Sequence, residues 1–124
     1  MGLNVRVGEY ETKEYMCKEL GSYGRYNDWK RRIAKASGFN LDEMVGFYDK
    51  TTGCEGNIPW HKEPFQLILY HYDCDGMYSV NQLHLLLEEV NKIKQLGIDD
   101  FEQSDKFIKL IKHAIKINKP LMFE

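Results

Sequence analysis

The chain has 124 residues, 43% hydrophobic and 29% charged, which is enough apolar material for one core and too much for a disordered segment. Its 17 Lys+Arg stand against 19 Asp+Glu, and a net charge of −2 gives no general pull toward nucleic acid or an anionic membrane. No apolar run approaches a bilayer span, and MGLNVRVGEY lacks the basic-then-apolar build of a signal peptide, so a single cytoplasmic domain over residues 1–124 is expected. Three widely spaced cysteines, Cys17, Cys54 and Cys74, fit reduced thiols in that compartment.

Leu3, Val5 and Val7 alternate with polar residues and predict a short strand. A brief helix is expected next, capped by Thr12, with Tyr15, Met16 and Leu20 inward and Gly21 as its stop. Residues 26–37 predict a firmer helix, because Trp29, Ile33 and Ala36 fall at helical spacing and Gly38 suits the left-handed position beyond its end. Asn40, with acids at Asp42 and Glu43, starts another short helix that runs to about Gly46.

Residues 49–64, DKTTGCEGNIPWHKEP, read as a long loop, and loops of that length in a small domain usually carry function. Trp60 inside it needs a pocket or a ligand to cover its ring. Phe65 to Tyr72 then reads as a buried strand, with a short helix starting at Pro64 as the alternative.

Two helices follow. Ser79 and Gln82 form a capping box ahead of a stripe made by Val80, Leu83, Leu86, Leu87, Val90 and Ile93, with Gly97 beyond it. Ser104 is the expected cap of the second, whose stripe is Phe107, Ile108, Ile111, Ala114 and Ile115. Asn118 and Pro120 end it, and Leu121, Met122 and Phe123 form an apolar tail that must pack on something. The expected fold class is α+β, a helix-dominated single domain with a small sheet.

The segment HYDCDG, His71 to Gly76, carries the strongest chemical signal. His71, Asp73 and Asp75 alternate, so an extended backbone would put all three on one side, where they could hold a divalent cation such as Mg²⁺, Mn²⁺ or Ca²⁺. Aligned with an EF-hand loop, Gly76 takes the turn position and Asp73, Asp75 and Ser79 take ligand positions. His71 and Gln82 then stand where carboxylates belong. The segment also resembles the first motif of the DHH phosphoesterases, which implies catalytic metal binding by His71, Asp73 and Asp75. That family's later Asp and its Asp-His-His triplet have no counterpart here. Turn chemistry alone explains the same residues, since Asp bonds its own backbone, Gly permits positive φ and Ser79 caps a helix.

Lys30, Arg31 and Arg32, with Lys35 and Arg25, are the basic cluster, interleaved with Tyr23, Tyr26 and Trp29. Such a helix, residues 23–35, could stack and neutralise a nucleotide, or form a solvated face over an aromatic core. Cys54, His61, His71 and Cys74 could supply zinc ligands, although no CxxC pair occurs. No Gly-rich phosphate loop, GxSxG or HExxH is present.

From Tyr23 to Phe123 the order of features resembles a family of small, uncharacterised bacterial and phage-borne proteins. The resemblance runs through Tyr23, Tyr26 and Trp29, then Met44-Val-Gly-Phe47, Trp60, the HxDCDG segment and the closing Pro-Leu-Met-Phe. It implies no activity. The expected function is non-enzymatic binding of a partner protein or small ligand through the 49–64 loop and the turn from His71 to Gly76. Trp60, Lys30, Arg31 and Arg32 are the candidate ligand contacts, and a weakly bound divalent cation accompanies them at His71, Asp73 and Asp75. The alternatives are a metal-dependent phosphodiesterase-like enzyme using that trio, and a small nucleotide-binding protein using helix 23–35.

Overall fold

The computed structural model describes residues 3–49, 52–61, 63–70, 76–99 and 102–124. Alternation builds β1 (Asn4–Val7), whose Val5 and Val7 are fully buried together with Leu3 just before it. Its neighbour is β2 (Met16–Glu19), antiparallel, with Val5 opposite Lys18 and Val7 opposite Met16. The expected helix from Thr12 is thus corrected to the second arm of a hairpin. Met16 and Leu20 are four apart, a spacing that one helical face and one strand face both allow, and pairing with β1 decides between them. Thr12 and Tyr15 instead make successive tight turns, through Thr12 N–H to Glu9 O and Tyr15 N–H to Thr12 O, both 3.2 Å.

Helix α1 (Tyr23–Ala36) starts on Ser22, whose hydroxyl accepts the Arg25 N–H at 3.2 Å. It buries Tyr26, Trp29, Lys30, Ile33 and Ala34. Gly38, at φ +95°, closes it as predicted: Phe39 N–H returns to Ala34 O and Gly38 N–H to Lys35 O, which is the Schellman arrangement. Leu41–Glu43 is one 3₁₀ turn capped by the Asn40 side chain, shorter than the helix expected to Gly46. The backbone there turns across the loop instead, with Val45 N–H bonded to Ile58 O and Ile58 N–H to Glu43 O.

The predicted strand from Phe65 is also corrected, over its described part, to a short helix, α2 (Gln66–Leu69); His71 and Tyr72 lie outside the described residues. Glu63 N–H bonds the Gln66 side chain and Gln66 N–H bonds Glu63 O, so a turn forms before the apolar run begins. Four bulky apolar residues carry no periodicity that separates strand from helix. The two-residue β3 (Met77–Tyr78) leads to Ser79, whose capping box with Gln82 is present as predicted. A 3₁₀ turn, Val80–Gln82, then runs into α3 (Leu83–Gln95).

Helix α4 (Gln103–Ile117) begins one residue ahead of the predicted cap, and the Ser104 hydroxyl bonds Asp99 Oδ1 at 3.0 Å rather than the helix's own N–H groups. Asn118, at φ +56°, ends it. The apolar tail finds its place as β4 (Leu121–Phe123), in a sheet ordered β2-β1-β4-β3 with every neighbour antiparallel. One sheet face carries Val5, Val7, Tyr78, Leu121 and Phe123 inward, and α4 packs along β1, β2 and β4. Phe123 touches the rings of Tyr26, Tyr78 and Phe107, so the helices and the sheet share one apolar core. The architecture is α+β and helix-dominated, with a small antiparallel sheet. Among the described residues no helix is long and apolar enough to cross a membrane.

Candidate functional site

His71, Asp73 and Asp75, the predicted cation ligands, lie outside the described residues, as does Cys74 of the zinc alternative. Among the described residues no group of three His, Cys, Asp or Glu could hold a metal ion. The segment's two flanks are described. Tyr70 ends α2, and the Gly76 carbonyl accepts the Phe123 N–H at 2.9 Å, which ties that flank to the sheet.

The described part of the 49–64 loop is laced to the preceding chain. Asp49 N–H bonds Cys54 O at 3.0 Å, Gly56 N–H bonds Phe47 O at 2.8 Å, and Ile58 exchanges both of its backbone bonds with Glu43 and Val45. The two segments cross closely at Gly56, where any side chain would collide with the backbone of Glu43 and Met44. This crossing brings Trp60 to the Val45 carbonyl and the Phe39 and Phe47 rings.

Trp60 is covered. Its indole N–H donates to Val45 O at 2.8 Å, and Tyr70 stacks on it with centroids 4.9 Å apart and planes 15° apart. Phe47 and Phe39 close in at 6.0 and 6.2 Å, and Phe39 meets the ring edge-on. Tyr70 remains 51% exposed, and Tyr48 and Ile58 are exposed nearby along the chain. Beside Phe39 lies an open groove of about 560 Å³, lined by Phe39, Met44 and Ile58 and by the charged Lys35, Glu43 and Glu63. That volume is within the usual range of ligand clefts, about 300–1,000 Å³.

The three basic candidates go to three different places. Lys30 is only 1% exposed, with its ammonium 5.3 Å from the Phe47 ring and 5.7 Å from the Tyr26 ring. Arg31 pairs with Asp42 of the 3₁₀ turn at 2.9 Å. Arg32 donates to Ile98 O at 3.0 Å, in the turn between α3 and α4. Phe47 therefore brings Lys30 and Trp60 into one cluster, while Arg31 and Arg32 serve as braces elsewhere.

The groove residues Ile58 and Glu63 fall within the expected 49–64 loop and Lys35 within the basic cluster, whereas Phe39, Phe47 and Tyr70 are not anticipated as site residues from the sequence. Their one signal is position, since Phe39, Phe47 and Tyr70 flank a Gly- and Pro-containing loop that itself carries a large ring.

The platform has a carboxylate behind it. Glu89 on α3 accepts the Ile68 N–H at 3.3 Å and also binds the Leu67 N–H, satisfying the first donors of α2, which carries Tyr70. Burial raises the Glu89 carboxyl above the ordinary glutamate range, and the two N–H groups and Lys92 offset part of that rise. A raised folded pKa stabilises the fold at low pH and loses that contribution as pH climbs through it. Glu89→Gln keeps the acceptor and removes the charge. The Gln variant should therefore gain stability relative to wild type between about pH 4 and pH 7, the range above the ordinary glutamate value. Paired melting curves at both pH values check this, and a relative loss at pH 7 would show that the N–H bonds outweigh burial.

No protein-family model matches this chain, nor does any curated protein or any solved structure.

Proposed function

We propose that the protein is a non-enzymatic binding domain whose working surface is the groove and aromatic platform formed where the 49–64 loop crosses the 43–47 segment, together with the segment from His71 to Gly76. One observation carries this reading: an open cleft of about 560 Å³ adjoins a cluster in which Trp60 is packed by three rings and Tyr70 stays half exposed. A ring stack pinned by an indole hydrogen bond offers a rigid apolar wall, and rigid aromatic walls bind with little loss of side-chain entropy. The test is a fragment and dipeptide screen followed by amide chemical shifts. Ligands should perturb Phe39, Ile58 and Tyr70, and Ile58→Asp should weaken them about tenfold while changing stability by no more than about 0.5 kcal/mol, as for an exposed side chain whose backbone bonds are kept. Ligands that map to another face would overturn the assignment.

The proposal includes a weakly held divalent cation at His71, Asp73 and Asp75, supported by their alternation ahead of a helix cap. Mn²⁺ should raise the melting temperature of wild type and not of the Asp73→Asn/Asp75→Asn variant, by mass action. An equal response in the two proteins would leave those carboxylates as turn formers.

A further inference from the structure

We propose that the groove beside Trp60 receives a short basic segment of a partner protein, one carrying an Arg or Lys side chain next to an apolar residue. This rests on the reading of the groove as the working surface and names what occupies it.

The argument is one of charge and lining. Among the described residues the groove lining holds two carboxylates, Glu43 and Glu63, one ammonium, Lys35, and the apolar Phe39, Met44 and Ile58. Other acids close in sequence are already engaged, Asp42 by Arg31 and Glu55 by the Tyr48 hydroxyl at 3.1 Å. Glu43 and Glu63 have no side-chain hydrogen bond or ion pair among the described residues. The described lining of the groove thus carries an excess of negative charge beside apolar side chains.

A phosphate or carboxylate ligand would meet repulsion there. A bare metal ion would need converging donors, and the described residues bring no three together. A guanidinium or ammonium on an aliphatic stem satisfies both halves of the site. The head pairs with a carboxylate, and the stem and an adjoining apolar residue cover Ile58 and Phe39. A polyamine supplies the charge without the apolar neighbour.

The experiment titrates the intact protein with three capped hexapeptides, alternating Arg-Leu, Gln-Leu and Glu-Leu, and with spermidine, reading amide shifts at Phe39 and Ile58. The Arg-Leu peptide should bind there at least about tenfold tighter than the Gln-Leu peptide. Glu43→Gln/Glu63→Gln should erase that advantage, and Lys35→Gln should enlarge it. Equal binding of the Gln-Leu peptide at the same amides, or tighter binding of the Glu-Leu peptide, overturns the basic occupant and leaves the groove as a binding site. Spermidine binding as tightly as the Arg-Leu peptide replaces the protein segment with a small polycation. Shifts confined to another face, or none with any probe, overturn both the occupant and the groove.

Discussion

Gly56→Ala should destabilise the protein by about 3 kcal/mol, the upper end of what overpacking costs. A Cβ at that position would lie 2.3 Å from Glu43 C and Met44 O and 2.5 Å from Glu43 O. All three neighbours are backbone, so no side chain can swing away. The crossing segments must part, and parting them strains Gly56 N–H to Phe47 O, Ile58 N–H to Glu43 O and Val45 N–H to Ile58 O together. Trp60 loses its anchor at the same time, because its indole bonds the Val45 carbonyl. Gly53→Ala is the control: nothing lies within 4 Å of its Cβ, but φ is +71°, so only about 1 kcal/mol of backbone strain is expected. Urea denaturation of both variants, with amide exchange at Val45 and Ile58, separates the two causes. Equal midpoints for the two variants would mean that the close crossing does not exist.

Trp29→Ala should cost about 3–5 kcal/mol, the range for a buried large aromatic. That is a large part of the roughly 5–15 kcal/mol that stabilises a small domain, so the variant should be partly unfolded near physiological temperature. Trp29 is fully buried, packs on Tyr26 and Phe107, and donates its indole N–H to Asp99 Oδ1 at 2.7 Å. Asp99 also receives the Ser104 hydroxyl, and Arg32 grips Ile98 beside it. The α3–α4 turn is thus docked on α1 by polar bonds around one ring. Trp29→Phe keeps much of the ring volume and deletes the N–H, leaving about 1.5–3 kcal/mol as the effect of losing a bond to a charged acceptor. Denaturation midpoints should rank wild type, Phe and Ala in that order. A Trp29→Ala midpoint within error of wild type would remove this ring from the core.

The sequence disclosed what local periodicity and capping determine. α1, α3 and α4 lie close to where their apolar stripes put them, Gly38 closes α1, and Ser79 and Gln82 make their box. What it hid depends on partners far along the chain. Met16 and Leu20 suit a helix face or a strand face equally, and only β1 decides. The run from Phe65 turns helical through Glu63 and Glu89, one of them on another helix. The candidate site followed the same rule. Trp60 stood out as a large ring in a loop, but its cover comes from Phe39, Phe47 and Tyr70, which no spacing rule connects. Lys30 was legible and was missed: positions 26, 29, 30 and 33 form one helical stripe, so this lysine sits on the buried face.

The middle of the sheet joins strands more than a hundred residues apart, since β1 pairs with β4 as well as with β2. On the ribosome β1 and β2 can zip as soon as they emerge, but the other side of β1 has no partner until residues 121–123 follow. Closing a loop of that length is the slow kind of contact, which sets the pace of folding. Meanwhile a row of unpaired N–H and C=O groups stands open to any neighbouring chain, as an unprotected edge does. The time a nascent chain is exposed to mispairing at this edge is therefore governed by how fast β4 is made.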